Sequence, residues 1–267
     1  MTSLLILTAL LTAPLTQQEP TNAAESAAKK AAAEQLLEEQ YTALVRELPA
    51  AEQAWERTLQ ENLGSFYLPI HKHQKVAGQS NAWDFVVDDP RLPRVLLIGD
   101  SVSRGYTQSV RNALAGKANI HRAPANCGPT SLGVKKIDEW LGEGQWDVIH
   151  FNFGIHDRNT PLAEYSQRLE QLVERMKTTG AKLVWASTTP IPDDAAKKQT
   201  AASIVERNEA AAAIMAKHDV TVDDLFTTIT PHLETMQNPN DVHFNAGGYE
   251  FLGQRVADAI TETLDED

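Results

Sequence analysis

A single cysteine, Cys127, in 267 residues excludes an intramolecular disulfide and a cysteine-built zinc site. Basic residues are the minority charge: 24 Lys and Arg stand against 36 Asp and Glu, a formal charge of −12. That balance argues against nucleic acid or an anionic membrane surface as the main partner. The apolar run Leu4–Leu15 is broken by Thr and by Pro14 and is too short to span a bilayer. It fits the hydrophobic part of an export signal over residues 1–20, although no Lys or Arg precedes it. Export to the periplasm or the medium is therefore expected, with no membrane insertion after signal removal.

The next segment is rich in helix formers. Ala23–Leu48 is mostly Ala, Glu, Gln, Lys and Leu, and Leu36, Leu37, Gln40, Tyr41, Leu44 and Leu48 recur at roughly helical spacing. Pro49 interrupts the pattern, Ala50–Leu63 resumes it and Gly64 ends it. Residues 21–65 are expected to form a helical extension that packs on itself and carries no chemistry. Residues 66–93 read as an irregular linker with aromatics at Phe66, Tyr67, Trp83 and Phe85. His71 and His73 form an H-x-H pair, but no carboxylate or third histidine lies at a supporting spacing, so packing is expected rather than a metal site. Asp88, Asp89, Pro90 and Pro93 make the turn into the first core strand.

From residue 94 to the C-terminus strand and helix patterns alternate. Strands are expected at 95–99, 119–122, 146–153, 182–187 and 221–226, and helices at 103–115, 134–141, 161–178, 200–217 and 246–263. This alternation predicts a five-stranded parallel sheet covered on both faces, a three-layer α/β/α sandwich. His121 and His150 fall inside strands and read as packing residues. Trp140, Trp146 and Trp185 read as core or rim aromatics.

Four loops at the ends of these elements are unusually polar. Asp100, Ser101 and Ser103 follow the first strand and offer helix N-caps. Ala125-Asn126-Cys127-Gly128-Pro129 is a tight turn in which Gly128 brings a backbone N–H close to a ligand. Asn152 to Asp157 follows the third strand, and Asn238 to Phe244 precedes the last helix. A serine nucleophile needs a base, a group that orients the base, and donors for the developing oxyanion. The four loops hold a candidate for each. Cys127, with no partner to activate it, reads as a small buried packing residue.

Gly99-Asp100-Ser101-Val102-Ser103, Gly128, Gly154-Ile155-His156-Asp157 and Asn240-Asp241-Val242-His243 together resemble, in order, the blocks of the SGNH/GDSL hydrolases. The resemblance runs from about Arg94 to the C-terminus, and the G-x-S-x-G elbow of other α/β-hydrolases is absent around Ser101. It implies a flavodoxin-like fold, Ser101 as nucleophile and His243 as base. The backbone N–H groups of Ser101 and Gly128 would help form the oxyanion hole. Two positions depart from the family. The third-block asparagine is His156, whose ring N–H can donate the same hydrogen bond. The aspartate three residues before the histidine is Asn240, so either Asn240 or the neighbouring Asp241 would orient His243. The carboxylate has the advantage of stabilising imidazolium electrostatically.

The expected activity is serine esterase chemistry, needing no cofactor and no metal, on a small-molecule or carbohydrate ester. Few aromatics and no long apolar lid favour short acyl groups such as acetyl. A lysophospholipase or thioesterase, or an inactive carbohydrate-binding protein on the same fold, is the alternative.

Overall fold

The helix-forming N-terminal segment is realised as α1 (Asn22–Arg46), α2 (Ala50–Asn62) and α3 (Gly64–Val76). This is a computed structural model, and its described residues are 22–194, 196 and 199–266. The expected export signal, residues 1–20, lies outside them. The linker expected over 66–93 is helical in its first part and irregular only from residue 77. Pro69, inside α3, removes a helix hydrogen bond, and that break hides the helix in the sequence. Packing outweighs it. Tyr67 and Leu68 of α3 join Trp55, Leu59, Leu63 and Trp83 in a small apolar core. The H-x-H pair splits: His73 is exposed, whereas His71 is fully buried. His71 Nε2 lies 2.7 Å from Glu56 Oε2, and Nδ1 lies 3.3 Å from Asn81 Oδ1.

Five parallel strands follow: β1 (Arg94–Ile98), β2 (Asn119–Arg122), β3 (Val148–Phe151), β4 (Lys182–Ala186) and β5 (Thr221–Asp223). Their spatial order is β2-β1-β3-β4-β5. Strand residues alternate between two buried clusters, as a sheet covered on both faces requires. Leu96, Ile98, Leu183 and Trp185 face one layer, and Val95, Leu97, Val184 and Ala186 face the other. The connecting helices are α4 (Ser101–Ala113), α5 (Thr130–Leu141), α6 (Leu162–Lys177) and α7 (Ala201–Lys217). Two short helices, α8 (Leu225–Ile229) and α9 (Leu233–Met236), lead to the closing α10 (Ala246–Asp265). Ile137 and Trp140 of α5, Leu169 and Leu172 of α6, and Ile214 and Met215 of α7 cover the first face. Tyr106 and Val110 of α4 and Leu252 and Val256 of α10 cover the second. The result is the expected three-layer sandwich.

The fifth strand stops at Asp223 rather than Phe226, because Asp224 caps α8 by accepting from Thr227 N–H at 3.1 Å. His150 is buried with its Nε2 3.1 Å from Asp223 Oδ2, and His121 Nε2 lies 2.6 Å from Asp88 Oδ1. Trp140 and Trp185 are buried in the core. Among the described residues no helix is long and apolar enough to cross a membrane. In this strand order the direction of winding reverses between β1 and β3, and the crevice at their carboxyl ends is where such sheets bind ligands.

Candidate active site

β1 runs out at Ile98 into that crevice. Asp100 takes the extended N-cap conformation, and its Oδ1 accepts the Val102 N–H at 2.9 Å. Ser101 is then the first residue of α4, so its own N–H has no acceptor within the helix and sits at the positive end of the helix dipole. A short polar residue at this position is both a helix start and a chemically exposed hydroxyl.

The loop before α10 brings the base to it. His243 Nε2 lies 2.8 Å from Ser101 Oγ, and His243 Nδ1 lies 2.8 Å from Asp241 Oδ1. A carboxylate on Nδ1 fixes the tautomer in which Nδ1 donates and Nε2 accepts the serine proton. Both ring nitrogens are thereby engaged, and neither partner is Asn240. Asn240 occupies a left-handed turn position, φ +54°, which asparagine tolerates better than most residues. Asp241 N–H donates to Asn238 O at 3.2 Å and Asn238 N–H to His243 O at 2.9 Å, so the turn closes on itself. The Asp241 carboxylate also accepts the N–H of Val242 at 2.7 Å. Partial burial raises the Asp241 pKa, but the hydrogen bond and charge of His243 outweigh it and hold the carboxyl below its usual range.

The other two loops close around the nucleophile turn. Gly128 has φ +61°, a conformation open to glycine at little cost. It follows Cys127, whose N–H donates to Gly99 O at 3.2 Å. Burial pushes the Cys127 thiol up to about 12, so it is no nucleophile. Asp157 is fully buried and accepts from Thr130 N–H at 2.7 Å and Thr130 Oγ1 at 2.8 Å. This pins the start of α5, and with it the Gly128 loop, to the loop after β3. His156 is exposed beside the nucleophile turn, with Nε2 3.8 Å from Asp100 Oδ2. That separation is too long for a hydrogen bond.

Two further residues shape the site, although local sequence pattern assigns neither a role in it. Asn152 Nδ2 donates to Ala186 O at 2.7 Å and Thr188 Oγ1 at 3.0 Å, tying the ends of β3 and β4 together. Arg122 reads in the sequence only as the end of a short strand. It is buried and donates to Gly99 O and Asp100 O, both at 2.9 Å. A charge at the end of an otherwise core strand was the available hint. A metal-type group, Glu170, Glu174 and His218, lies outside this site on and beside α6 and α7, and Glu170 is already bonded to His218 and Lys217.

Serine, imidazole and carboxylate linked in series, at the switch point of a flavodoxin-like sheet, define a class: carboxylic ester hydrolases of the SGNH type. Residues 97–251 match the GDSL-like lipase/acylhydrolase family, and the chain belongs to that family. Among solved structures it is similar to a lipase/acylhydrolase from Enterococcus faecalis, with 22% identity and a TM-score of 0.57 over 64% of this chain and 96% of that one. An acetylxylan esterase from Geobacillus stearothermophilus is similar at 15% identity and TM-score 0.54, covering 66% of this chain and 95% of its own. TesA is similar at 17% identity and TM-score 0.52, over 64% and 98%. Among curated proteins none matches the chain.

Proposed function

We propose that the protein is a serine esterase that removes short acyl groups, acetyl foremost, from carbohydrate. The observation carrying this reading is the series Asp241–His243–Ser101, with both links at 2.8 Å. Ser101 Oγ attacks the ester carbonyl while His243 Nε2 takes its proton. The oxyanion is held by the N–H groups of Ser101 and Gly128, with the His156 ring as third donor. The tetrahedral intermediate collapses, His243 returns the proton to the leaving alcohol, and the acyl group stays on Ser101. Water activated by His243 then attacks the acyl-enzyme and releases the acid. Asp241 orients the imidazole and offsets its charge throughout.

One observation supports a short acyl group. The similar structures include acetylxylan esterases. Export, as the N-terminal run suggests, would bring such an enzyme to polysaccharide outside the cell. The wild type is expected to hydrolyse p-nitrophenyl acetate, and Ser101→Ala to lose that activity. Absence of turnover together with no labelling by a fluorophosphonate would overturn the enzyme reading. Faster cleavage of the octanoate ester than the acetate would overturn the short-acyl preference.

A further inference from the structure

Arg122 is 2% exposed, and among the described residues no carboxylate lies within ion-pair distance of it. A buried cation with no carboxylate in direct contact is costly, so its surroundings need an account. Its Nη1 donates to Ser103 Oγ at 2.6 Å, and its Nη2 to the carbonyl oxygens of Gly99 and Asp100, each at 2.9 Å. The Asp100 carbonyl belongs to the same peptide group as the Ser101 N–H. In a trans peptide C=O and N–H point opposite ways, so fixing this carbonyl on the guanidinium turns the Ser101 N–H away from it. The Gly99 carbonyl is shared with Cys127 N–H at 3.2 Å, which sets the segment presenting Gly128. One guanidinium thus braces both backbone donors assigned to the oxyanion. Its charge also polarises the Ser101 peptide and strengthens that N–H as a donor.

The opposite side of Arg122 is covered by the N-terminal unit. Its guanidinium carbon lies 5.7 Å from the centre of the Trp83 ring, a cation–π separation. Trp83 is anchored in turn: its carbonyl accepts from Trp55 Nε1 at 2.7 Å and its N–H donates to Asn81 Oδ1 at 2.9 Å. The Asn81 carbonyl accepts from Gln108 at 2.6 Å and Arg111 at 3.0 Å, both on α4. The extension is therefore fastened to the helix that begins with the nucleophile.

We propose that Arg122 is a positioning residue for the oxyanion hole and that the N-terminal helical unit, through Trp83, holds Arg122 in place. This rests on the reading of Ser101 as an esterase nucleophile. The test measures kcat and KM for p-nitrophenyl acetate, and the affinity for phenylboronic acid, whose tetrahedral adduct on serine mimics the oxyanion. The full chain is compared with Arg122→Met, Arg122→Lys, Trp83→Leu and Trp83→Phe. Since losing one oxyanion donor outright costs about 10²–10³ in kcat, Arg122→Met is expected to lose about a hundredfold with KM changed by less than about twofold. Boronate affinity should weaken in parallel with kcat, which a merely structural role would not produce. Arg122→Lys, keeping charge without the fork, should recover part of the loss. Trp83→Leu should lower kcat about tenfold, with Trp83→Phe close to wild type because the aromatic face is kept. If Arg122→Met fails to fold, Arg122→Lys and Trp83→Leu carry the test. Folded variants whose kcat and boronate affinity match an active wild type would overturn the proposal. An inactive, unlabelled wild type would instead overturn the esterase reading, and this proposal with it.

Discussion

At the scale of single residues, the geometry separates two side chains that sequence spacing leaves tied. The family's spacing points to Asn240, but Asn240 spends its conformational tolerance on a left-handed turn, and the next residue meets the imidazole. Asp241→Asn should therefore lower kcat by about a hundredfold to a thousandfold, since an amide can present the wrong hydrogen-bond partner and cannot offset imidazolium. Asn240→Gly keeps the φ +54° turn accessible and should leave kcat within about threefold of wild type. Steady-state kinetics on p-nitrophenyl acetate decide it; the reverse ranking would restore Asn240 as the orienting group. Ser101 and His243 were legible because nucleophile and base require particular residue types in block order. Asp241 was left undecided because a turn's handedness, which no spacing rule encodes, chooses between neighbours. Arg122 was illegible because its partners, Gly99, Asp100 and Trp83, are distant in sequence or peptide carbonyls common to every residue.

Among elements, what could be read depended on periodicity. The five strands and the long helices of the sandwich announce themselves by apolar period and flanking breakers. α3 did not, since Pro69 contradicts a helix locally and only its packing against α1 and α2 overrides that. The overlong fifth strand has the same origin: Val222 and Phe226 look alike to a strand pattern, but Asp224 starts a helix between them. The α4–α10 contact offers a direct test of packing at the element that carries Ser101. A Cβ on Gly105 would stand 2.1 Å from Tyr249 Cε1, well inside contact distance. Alanine is favoured over glycine within a helix by about 1 kcal/mol, yet overpacking typically costs about 1–3 kcal/mol. Because this clash is against a ring packed on the core, Gly105→Ala is expected to destabilise. A lower urea midpoint at unchanged m-value would show it, and a midpoint raised above wild type would mean that α10 yields freely.

At the scale of the whole molecule, the N-terminal unit is joined to the catalytic layers, and its own stability rests on a buried carboxylate. Glu56 is fully buried and takes hydrogen bonds from His71 at 2.7 Å and Tyr41 at 2.6 Å, with Lys75 Nζ 3.0 Å from its other oxygen. Burial alone would raise its pKa, but these partners outweigh burial and hold the carboxyl at about 2. In the unfolded chain the same group titrates near the ordinary glutamate value of about 4.3. A folded-state pKa below the unfolded one means that ionised Glu56 stabilises the fold fully above the unfolded value. That contribution fades as pH falls from there through about 2. Urea unfolding followed by tryptophan fluorescence, with Trp55 and Trp83 in the affected core, should therefore show a falling midpoint below about pH 5. Glu56→Gln should be destabilised at pH 7 by about 3 kcal/mol, as breaking a buried ionic group does, but its midpoint should depend less steeply on pH over the same interval. A variant whose midpoint falls as steeply as the wild type would assign the acid sensitivity to other carboxylates. Since Trp83 lies on Arg122, Glu56→Gln is also expected to lower kcat at pH 7.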